Sequence, residues 1–159
     1  MKQRAYTIRI AEYDRIEDLP GHSELIEKAK EAAGKAYAPY SKYQVGAAVL
    51  LENGKIYTGN NQENAAYPSG LCAERVAIFY AGSQHPDVAV VSIAIAAFSG
   101  GKFQEEPVPP CGGCRQVLFE KEARGKRSME VILYGSKRIQ LLRSATDLLP
   151  LPFVFEGAS

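Results

Sequence analysis

The sequence has no tryptophan, only two histidines, only three cysteines and almost no imbalance of charge. Lys and Arg number 19 against 18 Asp and Glu, a net charge of +1, with a pI near 7.7. Without a basic excess there is no broad phosphate-binding face, which counts against docking onto long nucleic acids. An odd number of cysteines argues against a disulfide framework and for a reducing compartment. The longest apolar stretch, 88–98, is broken by Ser92 and falls far short of the roughly 20 residues a membrane span needs. The first twenty residues carry charges throughout and lack the apolar segment of a signal peptide, so a cytoplasmic location is expected. Internal repeats, low-complexity tracts and Pro/Gly/Ser-rich linkers are also missing, which excludes solenoids and strings of domains.

What remains is a chain of 159 residues, 46% hydrophobic and 23% charged, with a mean hydropathy of −0.19. That suffices for one domain whose core can enclose a site. Residues 1–20 read as an N-terminal arm or an extra strand, with a short strand at 5–10, and residues 21–159 as a single domain. Ser23 is a candidate N-cap, followed by Glu24 and Glu27 near the positive end of a helix dipole. Leu25, Ile26, Ala29, Ala32, Ala33 and Ala36 then recur at helical spacing up to Pro39, predicting a helix over 23–36. Two strand-like runs, 45–51 and 55–59, flank Asn53-Gly54, a hairpin signal in which both turn positions take positive φ. A buried helix is expected over 72–80, and a central strand covered on both faces over 88–98. Beyond a loop at 99–110, a helix over 111–123, strands at 129–134 and 138–141 and a last helical turn at 145–149 complete the chain. This order predicts a three-layer α/β/α sandwich with a mixed sheet of about five strands.

Two motifs carry chemistry: Cys72-Ala73-Glu74 and Pro110-Cys111-Gly112-Gly113-Cys114. Each sits where a loop enters a helix, where free backbone N–H groups and the helix dipole favour thiolate over thiol. Three thiolates leave a tetrahedral zinc with one open position, which is a catalytic arrangement, whereas structural zinc sites close with four protein ligands. Glu74, two residues after Cys72, is placed to shuttle a proton between a zinc-bound water and a substrate. This is the layout of the zinc deaminases. Three thiolates on Zn²⁺ sum to −1, which weakens its acidity. A guanidinium on a thiolate sulfur withdraws charge, and Arg75 is preferred to Arg115 for this role.

Plainer readings compete. Redox chemistry at Cys-x-x-Cys leaves Cys72 unexplained. A structural zinc needs a fourth ligand, and His22 and His85 lie outside the motifs beside Gly21 and Pro86, where surface positions are expected. Arg75 fits an ordinary solvated helix residue, and Glu74 an ordinary first-turn glutamate.

Several ordered blocks across about residues 23–153 carry a resemblance: residues 36–48 (AYAPYSKYQVGAA), 61–67 (NQENAAY), 72–75 (CAER), 110–116 (PCGGCRQ) and Leu148-Leu149-Pro150. In these the chain resembles the cytidine deaminase family, in its small homotetrameric class with three cysteines. The resemblance implies hydrolysis of cytidine and deoxycytidine to the uridine forms and ammonia, with one zinc per subunit held by Cys72, Cys111 and Cys114 and with Glu74 as shuttle. It implies that Asn61 and Glu63 bind the ribose 3′-hydroxyl, which suits two side chains at i and i+2 at a strand end. The backbone of Ala73 would meet the edge of the base, Tyr43 would lie over the ligand where the family commonly has Phe, and Phe153 would reach a neighbouring subunit's pocket. Without the resemblance Phe153 reads as core packing. Gln62 and the loop Pro68-Ser69-Gly70-Leu71 depart from the family's usual wording. The partners implied are a small nucleoside and further copies of the chain, with neither a nucleic acid polymer nor a membrane. A deaminase of a related aminopyrimidine nucleoside such as blasticidin S, a polynucleotide-editing enzyme and a zinc-stabilised binding module without activity are the alternatives.

Overall fold

The strand expected to be covered on both faces is the spine of the sheet. In the computed structural model, which describes residues 1–155, β4 spans Val90–Ser99. Before it in the chain come β1 (Ile10–Tyr13), α1 (Ser23–Ala33), β2 (Gln44–Leu51), β3 (Ile56–Asn60) and α2 (Ala73–Gln84). After it come β5 (Lys102–Phe103), α3 (Gly112–Gly125), β6 (Glu130–Tyr134) and β7 (Ile139–Leu142). The sheet runs β1-β7-β6-β4-β2-β3, with β5 paired to the end of β4. Among the described residues only strands β4 and β6 pair in parallel, so the sheet is mixed, with seven strands against the five expected.

The strands divide their side chains between the two faces. Val49, Leu51, Val90, Ile93 and Ile95 fill the face that meets α2 and α3, whereas Ala48, Ala94 and Ala96 lie beneath α1. Small residues let the helices approach closely. A Cβ on Gly46 would stand 2.0 Å from the Ala29 carbonyl oxygen, and one on Gly59 would stand 2.4 Å from the Ala77 nitrogen. Gly59 thus seats α2 directly on β3.

Several features differ from the sequence reading, among them the helix expected over 72–80, which runs on to Gln84. Helix α1 ends at Ala33, because Tyr37 leaves the helix to exchange backbone hydrogen bonds with Asn61 and Glu63. The first strand is Ile10–Tyr13 and not 5–10, because β7 runs out of partners where Ile10 faces Leu142. Tyr6 and Ile8 are accordingly exposed. At the first hairpin only Gly54 has positive φ (+80°), while Gly54 N–H donates to the Leu51 carbonyl and Leu51 N–H to the Lys55 carbonyl. That is a type I turn closed by a glycine bulge, which asks nothing unusual of Asn53. Strand β5 lies inside the expected loop, turned back on β4 by Gly100 and Gly101, both with positive φ. Residues 156–159 of the expected domain lie outside the described residues.

Candidate metal centre

Helices α2 and α3 begin side by side on one face of the sheet. Cys72 and Cys111 take the N-cap positions of the two helices with extended backbones (ψ 153° and 167°), and Cys114 lies in the first turn of α3. The three Sγ atoms lie within 4.8 Å of one another, with Cys72 and Cys111 3.9 Å apart. Ligands at 2.3 Å on a tetrahedral zinc are about 3.8 Å apart, so the trio fits the ion. Among the described residues the cluster holds no fourth ligand. The histidines are engaged elsewhere: His22 Nε2 lies 2.7 Å from Glu130 Oε2, and His85 Nε2 lies 2.8 Å from the Tyr57 hydroxyl. Both are part-buried, contrary to the surface positions expected, because each packs its ring against one of these polar partners. One tetrahedral corner is left to a water or a substrate.

The thiols are already polarised. Cys72 is pulled down to about 5, chiefly by a hydrogen bond from the Cys114 thiol and further by Arg75. Cys114 is pushed up by the same contact and by burial. Arg75 Nη2 lies 3.9 Å from the Cys72 sulfur, and its Nε is buried with no partner among the described residues. Arg115 turns away, its Nε donating to the Pro110 carbonyl (2.8 Å) and its Nη1 to the Leu148 carbonyl (3.2 Å). It braces the Cys-x-x-Cys loop. Glu74 is 6% exposed, and burial raises its pKa above the usual carboxylate range.

Asn61 and Glu63 organise the loop before β2. Asn61 Oδ1 accepts from Val45 N–H (2.7 Å) and its Nδ2 donates to the Tyr43 carbonyl (2.9 Å), which fixes the amide's orientation. Glu63 Oε2 accepts from the backbone N–H groups of Tyr40 (2.9 Å) and Ser41 (3.2 Å). The Ser41 hydroxyl and these donors hold the Glu63 carboxyl below its ordinary value. A groove of about 340 Å³ lined by Asn61, Glu63, Tyr67, Cys72 and Arg75 joins this pair to the metal cluster. Ala73, the first residue of α2, is fully buried, and its N–H has no acceptor within the helix. Tyr43 is partly exposed, and burial of its phenol raises its pKa.

Phe153 is not core packing: its ring is 72% exposed, while its backbone is clamped at both N–H and carbonyl by the Gln116 side chain. It lies outside the groove. Gln116 and Tyr67 stood inside the motif blocks, but nothing in their spacing assigned them a contact. The arrangement as a whole can bind a divalent metal with an open corner, hold a buried carboxylate nearby and offer fixed polar groups to a hydroxylated ligand.

Comparison with known proteins agrees with this chemistry. Residues 20–127 match the family model described as the cytidine and deoxycytidylate deaminase zinc-binding region. The chain is 48% identical over 97 residues to a cytidine deaminase of Halalkalibacterium halodurans, covering 60% of this chain and 68% of that one. It is 38% identical over 125 residues to a probable cytidine deaminase of Dictyostelium discoideum, covering 79% and 78%. Among solved structures, the cytidine deaminase from Burkholderia pseudomallei superposes with a TM-score of 0.72 at 41% identity, covering 83% of this chain and 98% of that one.

Proposed function

The chain belongs to the cytidine and deoxycytidylate deaminase family, and from that premise we propose that it hydrolyses cytidine and deoxycytidine to the uridine forms and ammonia. The observation that carries this reading is the three-thiol cluster with one free corner and the buried Glu74 beside it. Cys72, Cys111 and Cys114 would hold a zinc ion, and the chemistry that ion would supply is to acidify a water from 15.7 towards ~7. Arg75 draws charge from the Cys72 sulfur and so offsets the excess of thiolate. Glu74 accepts the proton of the attacking water, delivers it to ring N3 as C4 becomes tetrahedral, and then carries a proton to the departing amine. Asn61 and Glu63 hold the ribose hydroxyl, the Ala73 backbone meets the edge of the base, and the Tyr43 ring lies against the ligand.

The enzyme works as a homotetramer whose sites lie at subunit contacts, with Phe153 entering a neighbour's pocket. Supporting this, the Phe153 ring is exposed in the single chain although its backbone is firmly held. Residues 21–159 form the deaminase domain and residues 1–20 an added segment whose strand Ile10–Tyr13 joins the sheet, a division supported by the family match beginning at residue 20. Three free thiols suit the reducing cytoplasm. Among the described residues no helix is long and apolar enough to cross a membrane.

The test is the ultraviolet absorbance of cytidine mixed with purified protein. The expected result is loss of the cytidine band with equimolar ammonia, abolished by a chelator and restored by zinc. Metal-replete protein that releases no ammonia refutes the reading.

A further inference from the structure

Strand β1 closes one end of the sheet. One of its edges pairs with β7, and the other meets no strand among the described residues. An open edge is a template for pairing with another chain. Residues 1–9 run past Leu142, the last β7 partner, so no strand lies beside them either. Along β1 the side chains alternate: Ala11 and Tyr13 pack on the core beneath α1, while Ile10 and Glu12 take the other face and are exposed. Tyr6 and Ile8 continue the row of Ile10 at 51% and 45% exposure. Charge is divided on either side of this apolar row. Residues 1–9 hold Lys2, Arg4 and Arg9 and no acid, whereas residues 10–18 hold Glu12, Asp14, Glu17 and Asp18 against Arg15 alone. The even positions from 2 to 14 read Lys, Arg, Tyr, Ile, Ile, Glu, Asp, an order complementary to its own reverse.

We propose that β1 and the residues before it form an interface between two copies of this chain, paired antiparallel about a two-fold axis at Ile8. Residues 2–8 of each copy then lie along the open edge of the other's β1, a mutual strand addition. Ile8 faces Ile8, Tyr6 faces Ile10, Arg4 faces Glu12 and Lys2 faces Asp14. A two-fold normal to the sheet keeps even positions opposite even ones, so these pairs share one face. Opposite charges across antiparallel strands are favourable and like charges directly opposite are not. That selects the register: an axis at Thr7 sets Arg4 against Ile10, and one at Arg9 sets two arginines against each other and Tyr6 against Glu12. The surface precedes the family match, which begins at residue 20. It contains neither Phe153 nor a residue of the metal centre or its groove, so the inference stands beside the deaminase reading and does not rest on it.

The test is the molar mass of the zinc-loaded full chain in solution, measured by light scattering, against a chain lacking residues 2–9. The truncation removes only exposed residues and leaves β1 whole. The expected result is half as many copies per particle in the truncated chain, a readout independent of cytidine turnover. Full-length Ile8→Cys then fixes the register. Facing residues on antiparallel strands have Cβ atoms about 5 Å apart, so oxidised glutathione joins two copies of this variant into a covalent pair on a non-reducing gel. Ile10→Cys, on the same face, stands four positions from its own counterpart, about 13 Å along the strands. That is beyond the reach of a disulfide, and this variant runs as single chains, as does the wild type. Equal copy numbers with and without residues 2–9 overturn the proposal. So does Ile8→Cys that fails to link, or Ile10→Cys that links as readily.

Discussion

Two glycines on opposite faces of the sheet offer a controlled test of what positions the metal centre. A Cβ on Gly59 would lie 2.4 Å from Ala77 N and 2.7 Å from the Ala73 carbonyl oxygen, both backbone atoms of α2. Ordinary contact begins near 3.4 Å, so Gly59→Ala must move α2 by about 1 Å. Cys72 and Glu74 move with it. Overpacking of this kind costs about 1–3 kcal/mol, and in a domain of this size that lowers Tm by roughly 3–10 °C. A misplacement of about 1 Å in a catalytic constellation costs on the order of 100-fold in rate. Gly46→Ala makes a comparable clash, 2.0 Å from the Ala29 carbonyl oxygen and 2.3 Å from Ala33 N, but against α1, which carries no residue of the centre. The expected outcome is a Tm at least as low for Gly46→Ala but a kcat within about threefold of wild type, against a loss of about 10- to 100-fold for Gly59→Ala. Thermal denaturation, zinc content and steady-state cytidine turnover, all measured below either transition, decide the matter. If Gly59→Ala is folded, zinc-loaded and fully active, or if Gly46→Ala loses kcat equally, the seating of α2 on β3 does not set the geometry of the site.

Three further outcomes follow from the same contacts. Glu74→Gln keeps zinc, measured by elemental analysis, but loses at least about 100-fold in kcat, the scale of a general acid–base contribution; near-normal turnover would remove Glu74 from the shuttle role. Cys111→Ala loses the metal and lowers Tm, because the ion joins two helix starts and its binding is coupled to folding; a variant with wild-type zinc content contradicts the ligand assignment. For Glu122, burial alone would raise the pKa, but hydrogen bonds from Thr146, Met129 N–H, Ser144 and Ala145 N–H outweigh it and hold the carboxyl low. A lowered folded-state value means stability that is present above the ordinary carboxylate range and lost as pH falls through the folded value. Glu122→Gln therefore costs about 1–3 kcal/mol at pH 7. The gap from wild type, read by denaturant titration, closes as pH drops below the ordinary carboxylate range.

Local signals were the most legible part of the sequence. Each Cys motif announces a helix start, and both are helix starts with the first cysteine at the N-cap. The nearly continuous β-branched and alanine run of β4 announces a buried central strand, and it is one. Legibility fails where a distant partner decides. Helix α1 stops short of its own periodicity because the Asn61–Glu63 backbone captures Tyr37. The arm pairs only as far as β7 offers partners, and no local pattern in residues 5–13 records where that is. The Gly100-Gly101 turn carried its signal openly, but the strand it makes is two residues long, too short for alternation to show. Which arginine faces a thiolate was legible only as a preference. Arg75 and Arg115 each directly follow a site residue, and the Leu148 carbonyl, far along the chain, draws one of them away.

The distance between the two cysteine motifs is the least local quantity of all, and it has an identifiable cause. Helix α2 is set by Gly59, which admits its backbone against β3. Helix α3 is tied from its far end, where Glu122 binds the Met129 N–H at the start of β6 and the N–H of Ala145 beyond β7. Arg115 ties its near end to Pro110 and Leu148. The separation of Cys72 and Cys111 is therefore the difference between two independent anchorings to one sheet. A change that loosens either anchoring moves one sulfur relative to the other without touching a ligand. Glu122→Gln tests this directly: if both anchorings matter, it weakens zinc retention against a chelator at pH 7 even though every thiol is intact. Unchanged zinc retention in a measurably destabilised variant would mean that the ion, once bound, holds the helices by itself.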